Sequence, residues 1–190
     1  MNIKSQNKGF TLIETLVAIA VLMIAIAGPL VIANQALTSA LYARDQSTAS
    51  FLAQEEMEIV KNVRDNVFNN NYSQNTSSIF SPCIGSSNAC DVESSNSYII
   101  SIITSNLVSS NYQCSSPSSN SCLLYLDTNN KYTHSNSGTT PTKFTRSFYL
   151  ISPDPATTDD YQVIVNVSWK EGNIQNGLTL SDVIANYSRQ

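Results

Sequence analysis

Hydrophobic side chains are concentrated in one block near the N-terminus and thin out afterwards. Residues 10–33 hold 19 hydrophobic positions in 24, with no charge between Glu14 and Arg44. As a helix those 24 residues span roughly 36 Å, enough for a bilayer core of about 30 Å. From Asn34 to Val67 the chain contains no Gly or Pro, and Leu52, Ile59, Val63 and Val67 recur at helical spacing. That stripe predicts an amphipathic helix, with Arg44, Asp45, Glu55, Glu58, Lys61, Arg64 and Asp65 on its other faces. The acidic run Glu55-Glu56-Met57-Glu58 reads either as a contact surface or, by preference, as a solvated helix face. The helix should stop at Asn69-Asn70-Asn71, a run of turn formers.

Beyond the helix the pattern changes period. Residues 69–97 and 109–121 are Ser/Asn-rich and read as loops. Tyr98–Thr104, Leu123–Leu126 and Phe144–Ile151 are short apolar runs with strand character, and Asp127-Thr-Asn-Asn130 is a turn. Tyr161, Val163, Val165, Val167 and Trp169 alternate with Gln162, Ile164, Asn166 and Ser168, which predicts a half-buried strand. Lys170-Glu171-Gly172-Asn173 reads as a hairpin turn, and Asn176–Tyr187 returns as the last strand. The fold class is α+β: a long N-terminal helix, first apolar and then amphipathic, whose stripe covers a small antiparallel β-sheet head. The expected divisions are a leader 1–9, an apolar helix 10–33, a stalk helix 34–68 and a head 69–190.

Composition narrows the chemistry. Only 13% of residues are charged, about half the usual share. In residues 69–142, Ser, Thr and Asn fill 39 of 74 positions, so neutral polar groups replace the missing charge. The net charge of -4 and the lack of any Lys/Arg cluster argue against nucleic acid as a partner. There is one histidine, His134, in a Ser/Asn-rich stretch that reads as an exposed loop. None of the Gly-rich phosphate loops, HExxH zinc motifs or GxSxG elbows occurs, so neither an enzyme nor a cofactor site is expected. Four cysteines, Cys83, Cys90, Cys114 and Cys122, suggest disulfides in an exported chain, with three possible connectivities. Local bridges Cys83–Cys90 and Cys114–Cys122 are the first choice, because each pair brackets a turn-prone segment. Zinc would need shorter gaps than six and seven residues, so no metal is expected.

Three roles compete for the apolar segment. It could be a cleavable secretory signal ending at Ala25-Ile26-Ala27, a plain signal anchor, or a membrane helix that later packs against copies of itself. Glu14 separates them. A carboxylate in a membrane helix costs up to about 2.5–3.5 kcal/mol at mid-bilayer and less near the end, and neither a signal nor an anchor needs one. Lys4 and Lys8 precede the segment, which places the leader on the cytoplasmic side and the body outside.

The stretch Lys8-Gly9-Phe10-Thr11-Leu12-Ile13-Glu14 resembles the class III signal of type IV pilins and type II secretion pseudopilins. The resemblance implies cleavage after Gly9 by a prepilin peptidase and methylation of Phe10 as the new N-terminus. It also implies that Glu14 neutralises the N-terminal amine of a neighbouring subunit in a filament. Loss of Lys4 and Lys8 takes the formal side-chain charge from -4 to -6. Gly28-Pro29 predicts a kink or local opening, in a neighbourhood where pilins often carry a helix breaker. The stalk helix and the Val-Ser-Trp169-Lys-Glu-Gly172 hairpin look most like minor pilins of the PilV kind and I-type minor pseudopilins. The implied life is that of a single-pass protein of the cytoplasmic membrane, extracted into an extracellular filament. Its partners would be other pilin subunits and the membrane assembly machinery. The alternatives are a secretion pseudopilin and a signal-anchored extracellular binding module.

Overall fold

The computed structural model describes residues 9–70, 76, 80–92, 113–114, 122–152 and 160–185. The strand expected at Tyr98–Thr104 lies outside them. The first element is helix α1, Leu12–Asn70, which ends inside the expected run of asparagines. The chain divides into two units, Met1–Asp45 and Gln46–Gln190, each described here by itself.

In the first unit α1 carries its apolar side chains outward. Leu16, Ile19, Leu22, Ile26, Leu30 and Ile32 are all exposed, so this half of the helix buries no apolar stripe within its own unit. It is the one helix among the described residues long and apolar enough to cross a membrane. Its hydroxyls are satisfied locally. Thr15 Oγ1 donates to the Leu12 carbonyl at 2.8 Å, and Thr38 Oγ1 donates to Gln35 at 2.9 Å. Such back-bonding hides a polar group from apolar surroundings.

In the second unit α1 is amphipathic as the stripe predicts. Ala49, Leu52, Ala53, Met57, Ile59, Val60 and Val63 are buried in the head's core. The described strands of the head are β1 (Ala89–Cys90), β2 (Gln113–Cys114), β3 (Leu123–Leu126), β4 (Tyr132–Thr133), β5 (Thr140–Ile151), β6 (Asp160–Glu171) and β7 (Ile174–Ala185). Long strands β5, β6 and β7 form an antiparallel meander, with Phe144 opposite Trp169 and Val167 opposite Leu178. The other edge of β5 is shared end to end. β3 pairs with its first half and β1 meets it at Phe148. β2 pairs with β1, and β4 with β3.

The β6 alternation resolves as expected: Tyr161, Val163, Val165, Val167 and Trp169 face the core. Phe144 sits 6.2 Å from Trp169 between ring centres, and Phe148 meets Phe80 edge to face at 6.1 Å. The β6–β7 turn is two residues, Gly172 and Asn173. Gly172 has φ +58, while Asn173 stays at negative φ. Glycine at the first central position is the requirement of a two-residue hairpin with one left-handed residue.

Strand β7 starts two residues earlier than the reading of 176–187 and ends at Ala185. Its pattern is obscured because a charge sits on the inner face. Leu178, Leu180 and Ile184 face the core, and Asp182 lies in the same row, where it takes Lys61 Nζ of α1 at 2.8 Å. Both partners are part-exposed, so the pair contributes at most about 1 kcal/mol. On the opposite face four consecutive cross-strand pairs carry no charge: Gln162–Val183, Ile164–Ser181, Asn166–Thr179 and Ser168–Gly177. Thr179 Oγ1 lies 2.8 Å from Asn166 Oδ1 in that row.

Candidate functional site: the N-terminal motif and the ionic cluster of the head

Two groups of residues carry the chemistry. The first is the N-terminal motif. Gly9, Phe10 and Thr11 precede the helix in irregular backbone, and Gly9 and Phe10 are exposed. The Gly9–Phe10 bond is therefore presented without any helix to unwind. A Cβ placed on Gly9 would meet nothing within 4 Å, so the fold itself does not demand glycine there. Glu14 stands in the first turn of α1, where its own N–H and that of Thr15 both reach the Thr11 carbonyl. A carboxylate at a helix N-terminus is favoured by the helix dipole.

Gly28 and Pro29 lie inside α1, and the helix runs through both. Pro29 has no N–H, so the Ala25 carbonyl loses its usual donor. A side chain at Gly28 would also meet nothing within 4 Å.

The second group is an ionic cluster inside the head, built from four places in the chain. Arg146 on β5 is the centre. Its Nη2 reaches Glu56 Oε2 and Asp91 Oδ1 at 3.1 Å each, and its Nη1 reaches Glu55 Oε2 at 3.0 Å. Arg146 Nε also donates to Asp91 Oδ1 at 3.1 Å. His134 Nε2 lies 2.7 Å from Asp91 Oδ2. The Val92 N–H donates to Glu56 Oε1 at 3.1 Å. Glu56 is 0% exposed, Arg146 2% and Asp91 6%, so this is an interior assembly rather than a surface network.

The cluster corrects two sequence readings. Glu55 and Glu58 are exposed as read, but Glu56 and Met57 are buried, and Glu56 is turned inward to meet Arg146. His134 is not a free-standing loop residue but pairs with Asp91. One signal for the cluster was present. Arg146 shares its strand face with Phe144, Phe148 and Leu150, so alternation alone places a cation in the core and requires acids around it.

Protonation follows from burial. Desolvation first, and then the Asp91 charge, push the Glu56 carboxyl well above the usual range, against the pull of Arg146. Burial opposes ionisation of Asp91 too, but Arg146 and His134 outweigh it and hold its carboxyl below the usual value. A proton therefore stays on Glu56 while Asp91 is ionised. For Glu56, raised in the folded state, the stability it contributes is full below its ordinary pKa of about 4.3 and is lost as pH rises through the folded value. For Asp91, lowered, the contribution is present above about 3.9 and is lost as pH falls through the folded value. Glu56→Gln keeps an acceptor for Val92 and removes the titration. Urea midpoints of the native chain should decline from about pH 4.3 upward, and those of Glu56→Gln should not; equal slopes would contradict the assignment.

The disulfide expected between Cys83 and Cys90 is present. Cys122 is also disulfide-bonded, while the Cys114 side chain lies outside the described residues. No curated protein and no solved structure matches this chain. Residues 4–28 match the family model for the prokaryotic N-terminal methylation motif, which belongs to structural subunits rather than to an enzyme family. Gly9, Phe10 and Glu14 lie inside that match, which is the type IV pilin and pseudopilin signature, and the α+β fold of one long N-terminal helix and an antiparallel sheet is consistent with the pilin fold.

Proposed function

We propose that this protein is a structural subunit of a type IV pilus-like filament, of the minor kind. The observation that carries the reading is the methylation motif running into the first half of α1, whose large apolar side chains are exposed. Such a helix needs lipid, and afterwards needs other helices. The subunit is made as a single-pass membrane protein with its leader in the cytoplasm. Prepilin peptidase cuts after Gly9 and Phe10 is N-methylated. The helix then leaves the bilayer to pack with other pilin subunits through the assembly machinery. Glu14 pairs there with the terminal amine of a neighbour, since each charge is costly alone in apolar surroundings. No catalytic role is assigned to the chain. A secretion pseudopilin would share the processing; the long Ser/Asn-rich stretches of the sequence favour a pilus, where the head is displayed outside the cell.

The test is the mature N-terminus. The full chain, produced with a prepilin peptidase, should give an N-terminal peptide beginning at N-methyl-Phe10 by mass spectrometry. An intact Met1, or a start at Gly28, would overturn the reading.

A further inference from the structure

Segment 80–92 is a covalent loop laid along β5. Cys83 and Cys90 close it, and both are fully buried. Inside the ring, the Gly85 N–H donates to the Leu150 carbonyl at 2.8 Å and Ile84 bridges to Leu150. Gly85 has φ +108, a conformation open to glycine, and the chain turns back there with the Asn88 N–H on the Gly85 carbonyl at 3.0 Å. Cys90 then pairs with Phe148. The next two residues are the loop's whole contribution to the ionic cluster: Asp91 meets Arg146 and the Val92 N–H meets Glu56. Neither belongs to a helix or strand, and the strand before them is only two residues long. Their position therefore follows that of Cys90, which is held by its bond to Cys83 and by its pairing with Phe148 and Gln113.

We propose that the Cys83–Cys90 bond is a redox latch, closing the loop so that Asp91 and Val92 seat on Arg146 and Glu56 and lock the loop to the stalk helix. In the dithiol form the loop leaves the cluster while the β5–β6–β7 meander stays folded. Closing is thiol–disulfide exchange. One cysteine thiolate attacks an external small-molecule disulfide and releases one thiol. The second cysteine then attacks the mixed disulfide and releases the other. Two cysteine protons and two electrons are lost, and the external disulfide is reduced to two thiols. The ring sulfurs have no exposed surface once closed, so the latch resists reduction until the loop lifts. The inference rests on the head alone and is independent of processing at Gly9.

The test is amide exchange on the full chain in detergent micelles. The Cys83→Ser/Cys90→Ser double variant opens the latch and leaves the Cys122 bridge intact. Its Val92 amide should exchange at least about tenfold faster than in the native chain, with the Val163–Val167 amides unchanged. If that variant does not fold, the same amides are read in native chain treated with graded phosphine, with Cys83–Cys90 opening scored by alkylation. A second readout is Asp91→Asn, which should lower the urea midpoint of the oxidised chain and shift the double variant, or the reduced chain, less than half as much. Unchanged protection at Val92, or an equal cost of Asp91→Asn in both forms, overturns the latch. So does loss of the β6 amides together with Val92, which would make the bond a general staple.

Discussion

Arg146→Ala should be the most destabilising single substitution in the head, costing about 3–5 kcal/mol. The reason is what remains. Removal of the guanidinium leaves Asp91 ionised in the interior with His134 Nε2 beside it, and takes the donor from Glu56 Oε2. The Leu52 carbonyl, 3.5 Å from Arg146 Nη1, also loses a donor. Urea unfolding of the full chain in micelles, followed by Trp169 fluorescence, would read the loss, since Trp169 is 1% exposed and reports on the same core. A neutral version separates charge from packing. Arg146→Met combined with Glu56→Gln and Asp91→Asn removes the unpaired charges, and should recover most of the stability. A cost below about 1 kcal/mol for Arg146→Ala would mean that the cluster is surface-like in its energetics.

Glu14→Ala should leave processing intact and abolish incorporation into filaments. The helix is preserved, because alanine is the best helix former, and the Gly9–Phe10 bond lies outside it. On the proposed pairing, what is lost is the partner of a neighbour's amine. A broken buried pair costs about 3–5 kcal/mol, which corresponds to at least a hundredfold in association, at tenfold per ~1.4 kcal/mol. Sheared-filament fractions probed for the subunit, against membrane fractions, would show the processed chain retained in the membrane. Normal filament content would remove Glu14 from assembly and leave the N-terminal mass test untouched.

The parts of the molecule legible in the sequence are those whose determinants are local. The stretch from Lys8 to Glu14 that marks the methylation motif is seven consecutive residues. The β6 strand alternates without a fault, and the hairpin turn is marked by Gly172. The Cys83–Cys90 bridge closes a short loop between neighbours in sequence. What escaped depends on distant partners. Arg146 meets residues 91 and 55 positions away along the chain, and Asp91 lies in a loop with no periodicity to mark it as buried. Three acids in four residues look solvated, and only the location of Arg146 shows that Glu56 is the one that turns inward. Strand β7 was blurred for the same reason in miniature, since Asp182 breaks its apolar row to reach Lys61.

The uncharged rows on the outer face of β6 and β7 bear on how heads stand beside one another. Long-range repulsion between copies would be screened over about 8–10 Å at ordinary ionic strength, and would vary with salinity. The four pairs from Gln162–Val183 to Ser168–Gly177 add no charge of their own to that repulsion. Amides and hydroxyls hydrate that row, so its own share of any contact made across it would be the same in fresh water and in brine, and the salt dependence would come from Asp160 and Lys170 at its two ends.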